Sequence, residues 1–254
     1  SYLGSSFAFI GVVIAATGYA GSGPNANLPV ALGGIVACGL VYTLVGFAVM
    51  ASGTAWIERL MPPVVTGAVV AVIGLNLAPI AVKGASSTPF DAWMAVTTIL
   101  CVGGVAVFTR GLVQRLLILV GLALACVIYG ILANGMGLGK PIALAGIAAA
   151  PWIGAPRFAA PVFDGNAIAL IAPVAVILVA ENLGHLKAVG AMTGRNLDPM
   201  IGRAFVGDGV ATMIAGSVGG TGVTTYAENI GVMAVTKIYS TLVFVVAAAI
   251  AVVL

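Results

Sequence analysis

Apolar runs long enough to cross a lipid bilayer constrain this chain more than any other feature. Leu28–Met50, Met94–Phe108, Leu116–Ala133, Ile168–Val179 and Thr241–Leu254 are apolar over most of the ~20 residues a hydrocarbon core requires, and short loops hold nearly all the charge. About eight spans satisfy that length criterion. With 61% apolar and 7% charged residues and a mean hydropathy of +1.21, the chain reads as an integral membrane protein. Peptide groups in lipid must be paired within their own segment, so the spans are expected to be helical; the two-residue alternation of a membrane barrel is absent. The expected fold class is an all-α polytopic membrane protein.

The spans are placed at a half-helix near 7–20, then 28–50, 63–82, 92–109, 113–134, 166–187, 200–218, a second half-helix near 226–237, and 238–254. Trp56, Ile57, Leu60 and Met61, within Gly53–Pro62, suit the membrane interface. The Gly/Pro-rich stretch from Asn134 to Asn166 is expected to carry a short interfacial or extended element around Pro151–Phe163. Arg59, Arg110, Arg115, Lys187, Arg195, Arg203 and Lys237 fall in one set of alternate loops and Lys83, Lys140 and Arg157 in the other, which puts the first set in the cytoplasm. The sequence starts at Ser1 without methionine and stops inside an apolar run, so a piece of a longer protein is expected.

Several function classes drop out. The net charge of +3 lies near helix ends, where it sets topology, and gives no reason to expect a nucleic-acid partner. Cys38, Cys101 and Cys126 stand singly in apolar runs, and one histidine excludes a multi-histidine zinc site, so no metal and no cofactor are expected. Thirty-five glycines suit close helix packing and broken helices.

Two segments break the helical pattern. Gly4-Ser5-Ser6-Phe7-Ala8 and Val223-Thr224-Thr225-Tyr226-Ala227 share one order: two hydroxyl residues, an aromatic, then alanine. Such residues after glycine favour a short extended piece, and non-helical backbone survives at membrane depth only where protein buries it or a cavity adjoins it. Two matched discontinuous segments point to an inverted-repeat transporter with its site between them.

Ionisable groups inside the membrane each need a reason. Glu181 and His185 stand four residues apart on one helix, so they share a face and could exchange a proton. The alternative is a Glu–His pair that only joins helices. Glu228 and Asn229 sit where the second extended piece turns into its half-helix. Free N–H groups beside a carboxylate can read a flat molecule that alternates N–H and C=O, as nucleobases do, and Asn229 would brace the broken backbone. Alternatively Glu228 is a helix-cap acid. Asp208, between glycines, is expected to bind backbone N–H groups of the Gly216–Thr221 turn, the alternative being direct proton carriage. Phe7 and Tyr226 offer rings to a planar ligand, or simply pack. Glu58, Asp91, Asp164 and the loop cations read as solvated charges.

Ala180-Glu181-Asn182-Leu183-Gly184-His185-Leu186 and Thr224 to Lys237 together resemble the nucleobase–ascorbate transporter (nucleobase:cation symporter-2) family. The family signature is an acid or amide, Asn, any residue, Gly, four residues, Thr and a basic or small residue. It fits at every position from Glu228 to Lys237. Tyr2 to Phe9 also resembles the third-segment sequence of bacterial uracil permeases, and the likeness extends over essentially the whole chain.

The resemblance implies fourteen membrane segments in two inverted repeats, with two short strands in the discontinuous segments and a division into core and gate domains. This chain would run from segment three to the start of eleven. Residues 1–52 and 166–254 would belong to the core, 53–140 to the gate, and 141–165 to a connecting loop. Carried over residue by residue, Glu181 and Glu228 would hydrogen-bond the base, while Phe7, Tyr226 and the backbone of Ala227 would contact it. His185 would assist protonation beside Glu181, and the proton would be the coupling ion in place of any cofactor. An acid at Glu228, where purine-selective members often carry Gln, leans toward uracil and related pyrimidines. Asn182 stands where uracil permeases carry His, and with the Gly194 to Pro199 loop this looks closer to a pyrimidine-permease branch.

The implied protein is a multi-pass permease of the inner cell membrane, in contact with lipid and open to homodimer formation. A purine permease of the same family is the alternative. A channel would need a continuous polar line, and an intramembrane hydrolase would need a nucleophile motif around Ser217; neither is present in the sequence.

Overall fold

In a computed structural model, residues 3–19, 25–142, 145, 146 and 158–253 are described. The strands are β1 (Leu3–Ser5) and β2 (Val223–Thr225). The helices are α1 (Ala8–Thr17), α2 (Leu28–Ser52), α3 (Ala55–Leu60), α4 (Pro63–Ala85), α5 (Pro89–Phe108), α6 (Leu112–Arg115) and α7 (Leu117–Gly130), the last continued by a π turn over Ile131–Gly135. After the loop come α8 (Gly165–Ile171), α9 (Val174–Thr193), α10 (Asp198–Val218), α11 (Ala227–Thr236) and α12 (Thr241–Val253).

Four stretches among the described residues are both long and apolar enough to cross a bilayer: Leu28–Ser52, Pro89–Phe108, Leu117–Gly135 and Gly165–Thr193. The expectation of about eight also counted α4, a 23-residue helix over the expected 63–82 run, and segments of other kinds. Helix α10 has spanning length but carries Asp198, Arg203 and Asp208, and α1 and α11 are half-length. The run expected as one helix over 166–187 breaks at Pro173, which has no N–H to donate, and α9 then continues to Thr193. Residues 151–157 of the expected interfacial element lie outside the described residues.

The chain divides into two compact units, 1–76 with 155–254, and 77–154. In the larger unit α2 and α10 run antiparallel at backbone contact. A Cβ on Gly39 would stand 2.7 Å from the Gly209 carbonyl oxygen, and one on Gly209 would stand 2.8 Å from that of Gly39. Gly46 and Gly202 repeat this reciprocity seven residues away, at 3.0 Å each. Without side chains at these four places the helices meet face to face, a packing that suits lipid, where water gives no push between helices. Around this pair lies a core of Phe9, Leu32, Ile35, Tyr42, Ile171, Leu178, Ile201 and Phe205. Leu40, Leu44 and Phe47 of α2 are exposed.

The two strands pair antiparallel, with Leu3 opposite Thr225, Gly4 opposite Thr224 and Ser5 opposite Val223, and Ser6 N–H extends the ladder to the Gly222 carbonyl at 2.9 Å. Each strand leads into a ten-residue helix, α1 or α11. Asn25 and Asn27 then tie the end of α1 to the start of α2: their side-chain amides donate to Thr17 Oγ1 and to the Thr17 carbonyl, both at 3.0 Å.

In the smaller unit α5 packs on α7, with the Phe90 and Tyr129 rings 5.5 Å apart. Asn134 closes its far end by exchanging hydrogen bonds with the Ile142 backbone, at 3.1 and 2.7 Å.

Candidate functional site

The strand crossing brings the two matched segments together. Phe7 and Tyr226, 219 positions apart in sequence, stand at the N-caps of α1 and α11. Their backbones differ: Phe7 is helical at φ −64°, ψ −21°, whereas Tyr226 is extended at φ −82°, ψ 124°. Ser6, 3% exposed, accepts from Ala8 N–H at 3.3 Å through its hydroxyl and from Phe9 N–H at 3.3 Å through its carbonyl.

Tyr226 lies across the strand of the other segment. Its hydroxyl donates to the Ser5 carbonyl at 2.9 Å and stands 3.2 Å from Ser5 Oγ, and its ring lies on Gly4, where a Cβ would come within 2.5 Å of it. Phe7 is 53% exposed. Ala227 opens α11, and the side chains of Ala227 and Glu228 lie outside the described residues. Asn229 is half-buried and borders a cavity of about 510 Å³ between α11 and α12, with Tyr226, Met233, Thr236 and Phe244.

Helix α9 supplies the remaining candidates. It packs against α1, β2 and α11, and it presents Glu181 and His185 one turn apart, both half-buried. The larger unit therefore places this pair on the helix that flanks both discontinuous segments. Behind it lies a polar cluster that the sequence reading missed. Asn182 donates through Nδ2 to Tyr42 Oη at 2.8 Å and to Asp208 Oδ2, joining α9 to α2 and α10.

Asp208 corrects an expectation. Its partner is the Asn182 amide rather than the backbone of the Gly216–Thr221 turn. Asp208 sits mid-helix, and at 1.5 Å per residue the end of α10 at Val218 is roughly 15 Å away, beyond the reach of a short side chain. Thr212 serves the β2 segment instead, accepting from Val223 N–H at 3.2 Å. One signal for Asn182 and Tyr42 was available in sequence: each is a polar residue inside a long apolar helix.

Glu58 and Lys187, read as solvated charges, are paired. Lys187 Nζ stands 2.8 Å from Glu58 Oε1 and 2.6 Å from Asp198 Oδ1, clasping α3 and α10 to α9. Ser217 donates to the Met213 carbonyl at 2.8 Å on an exposed helical face.

The Xan_ur_permease family model, described as a permease family, matches residues 1–254. The chain is 70% identical over 254 residues to the putative pyrimidine permease RutG of Escherichia coli K12, covering 100% of this chain and 58% of that protein. It is 37% identical over 253 residues to the uracil permease of Paenibacillus larvae, covering 94% of this chain and 57% of that protein. For the uracil permease of Escherichia coli K12 the figures are 37% over 253 residues, with 95% and 55% covered. The chain thus spans little more than half the length of these relatives. It is a multi-pass membrane protein and belongs to the nucleobase:cation symporter-2 permease family.

Proposed function

We propose that the full-length protein is a proton-coupled permease of the inner membrane that carries uracil or a related pyrimidine by alternating access. The observation that carries this reading is the antiparallel crossing of β1 and β2, from which two half-length helices depart, with α9, the helix that carries Glu181 and His185, packed against both. Discontinuous backbone is tolerated in a membrane where it borders a cavity, and helix N-termini with adjacent carboxylates suit a ligand edge of alternating donors and acceptors. The base would lie between the two segments, hydrogen-bonded by Glu181 and Glu228 and contacted by Phe7, Tyr226 and the Ala227 backbone. His185 would exchange the coupled proton with Glu181. Residues 1–52 and 166–254 would form core and 53–140 gate, joined by 141–165, and the gate would rock against the core, as the monomer or within a homodimer.

The names of the relatives favour a pyrimidine, as does the acid at Glu228. Uptake of labelled uracil into proteoliposomes of the full-length protein, competed by unlabelled uracil or xanthine, tests the reading. Competition by uracil alone is expected. Competition by xanthine alone would make the protein a purine carrier, and substrate equilibration without accumulation under an imposed proton gradient would remove the coupling.

A further inference from the structure

Asn182 is fully buried at 0% exposure, yet its side chain is an amide. Its two N–H hydrogens go to two acceptors on two other helices, Tyr42 Oη on α2 and Asp208 Oδ2 on α10. Tyr42 passes its own hydrogen toward the Leu178 carbonyl, 3.5 Å away and one turn back along α9. The helices that supply the two acceptors are the pair held at backbone contact by Gly39, Gly46, Gly202 and Gly209. Asn182 therefore fastens α9 to the most closely packed part of the unit.

The cluster is more than apolar filling could replace. Among the described residues Asn182 Oδ1 has no donor, and a buried acceptor left unpaired is costly. Leucine would fill similar space without that cost. What the amide alone supplies is a pair of donors in fixed directions.

Direction matters because of what stands beside it. A helix turns about 100° per residue, so Glu181 lies about 100° from Asn182, and His185 about 60° from it on the same side. Turning Asn182 toward α2 and α10 puts Glu181 and His185 together on one side of it, on a helix that also packs against α1, β2 and α11.

We propose that Asn182 is a positioning residue: by donating to Tyr42 and Asp208 it sets the rotation of α9, and so aims Glu181 and His185 at the strand crossing. The proposal rests on the reading of that pair as substrate-binding and proton-coupling groups, and its test has one arm that does not depend on transport.

Asn182→Asp places a second carboxylate against Asp208 and removes both donors. Adding Asp208→Asn restores an amide–carboxylate pair with donor and acceptor exchanged, and the Tyr42 hydroxyl can then donate to the new carboxylate. In the detergent-purified full-length protein, labelled histidine gives an imidazole resonance that is assigned to His185 by its loss in His185→Gln. Asn182→Asp is expected to displace that resonance by more than its linewidth, and the double variant to return it. In proteoliposomes, Asn182→Leu and Asn182→Asp are expected to raise the KM for uracil at least tenfold, the double variant to recover to within threefold, and Tyr42→Phe to shift it about threefold. An unmoved resonance in Asn182→Asp, a double variant no closer to the parent, or an unchanged KM in Asn182→Leu would overturn the positioning role. If the parent takes up no uracil, the transport reading fails, and the imidazole arm still decides the role of Asn182.

Discussion

Gly18 and Lys237 end two ten-residue helices in the same left-handed backbone conformation, at φ 62°, ψ 28° and φ 56°, ψ 28°. They are 219 positions apart, the same offset that separates Phe7 from Tyr226 and Ala8 from Ala227. Strand, helix and terminating turn thus recur at one offset, while the cap residues between strand and helix differ in backbone. The ladder joins the two units crosswise, with Gly4 opposite Thr224 and Ser5 opposite Val223, as a local two-fold between inverted segments requires. Glycine takes the left-handed region freely, whereas a residue with a Cβ is strained there by about 1–2 kcal/mol. Lys237 is the one non-glycine residue with positive φ among those described.

Lys237→Gly should therefore stabilise the protein by about 0.5–1 kcal/mol, the relief of strain exceeding the added freedom of the unfolded chain. Lys237→Val should destabilise it by at least about 1 kcal/mol. Thermal unfolding in detergent measures both, and equal midpoints for glycine and valine would refute the conformational argument.

The glycine contacts between α2 and α10 tolerate no side chain. Gly209→Ala would drive a methyl against the Gly39 carbonyl and Thr43, and Gly46→Val would press on Val206 and the Gly202 carbonyl. Overpacking of this kind costs about 1–3 kcal/mol for one methyl and more for valine. Gly103→Ala is the control, since a Cβ there has nothing within 4 Å. Fluorescence-detected size exclusion should show a monodisperse peak for the control and loss of it for Gly46→Val.

At the strand crossing, Tyr226→Phe removes the hydrogen bond to the Ser5 carbonyl and should cost about 0.5–1.5 kcal/mol. Gly4→Val should cost more, because its side chain would occupy the place of the Tyr226 ring. Midpoints ordered parent, Tyr226→Phe, Gly4→Val are expected in a denaturation series; a Gly4→Val protein as stable as the parent would show that the ring does not rest there.

How much of this could be read from the chain depended on how local the signal was. The order Ser5-Ser6-Phe7-Ala8 against Thr224-Thr225-Tyr226-Ala227 announced both broken segments, because glycine, hydroxyl and aromatic residues act on the backbone near them. The strand register was hidden, since pairing across two hundred residues leaves no trace in either triplet. The Asp208 partner was misplaced for a related reason. Its neighbours Gly207 and Gly209 suggested backbone bonding nearby, while Asn182 arrives from another helix. The Pro173 break was visible in the sequence, but the apolar run on either side concealed it.

The clasp of Lys187 on Glu58 and Asp198 is about 40% exposed at each side chain, so it contributes little to stability. Lys187→Met should lower stability by less than about 1 kcal/mol, and the difference should shrink from 50 mM to 500 mM salt as screening grows. A salt-independent loss of several kcal/mol would mean that the stem of Lys187, and not its charge, holds α3 in place.

We propose that Glu181 and Glu228 carry proton-coupled pyrimidine transport. Proton entry on addition of uracil, followed by a trapped pH dye in proteoliposomes of the full-length protein, tests it most directly. The parent should acidify the lumen with uracil, and Glu181→Gln and Glu228→Gln should each reduce that signal at least a hundredfold while remaining folded. Uracil-driven proton entry that survives in both variants would contradict the claim.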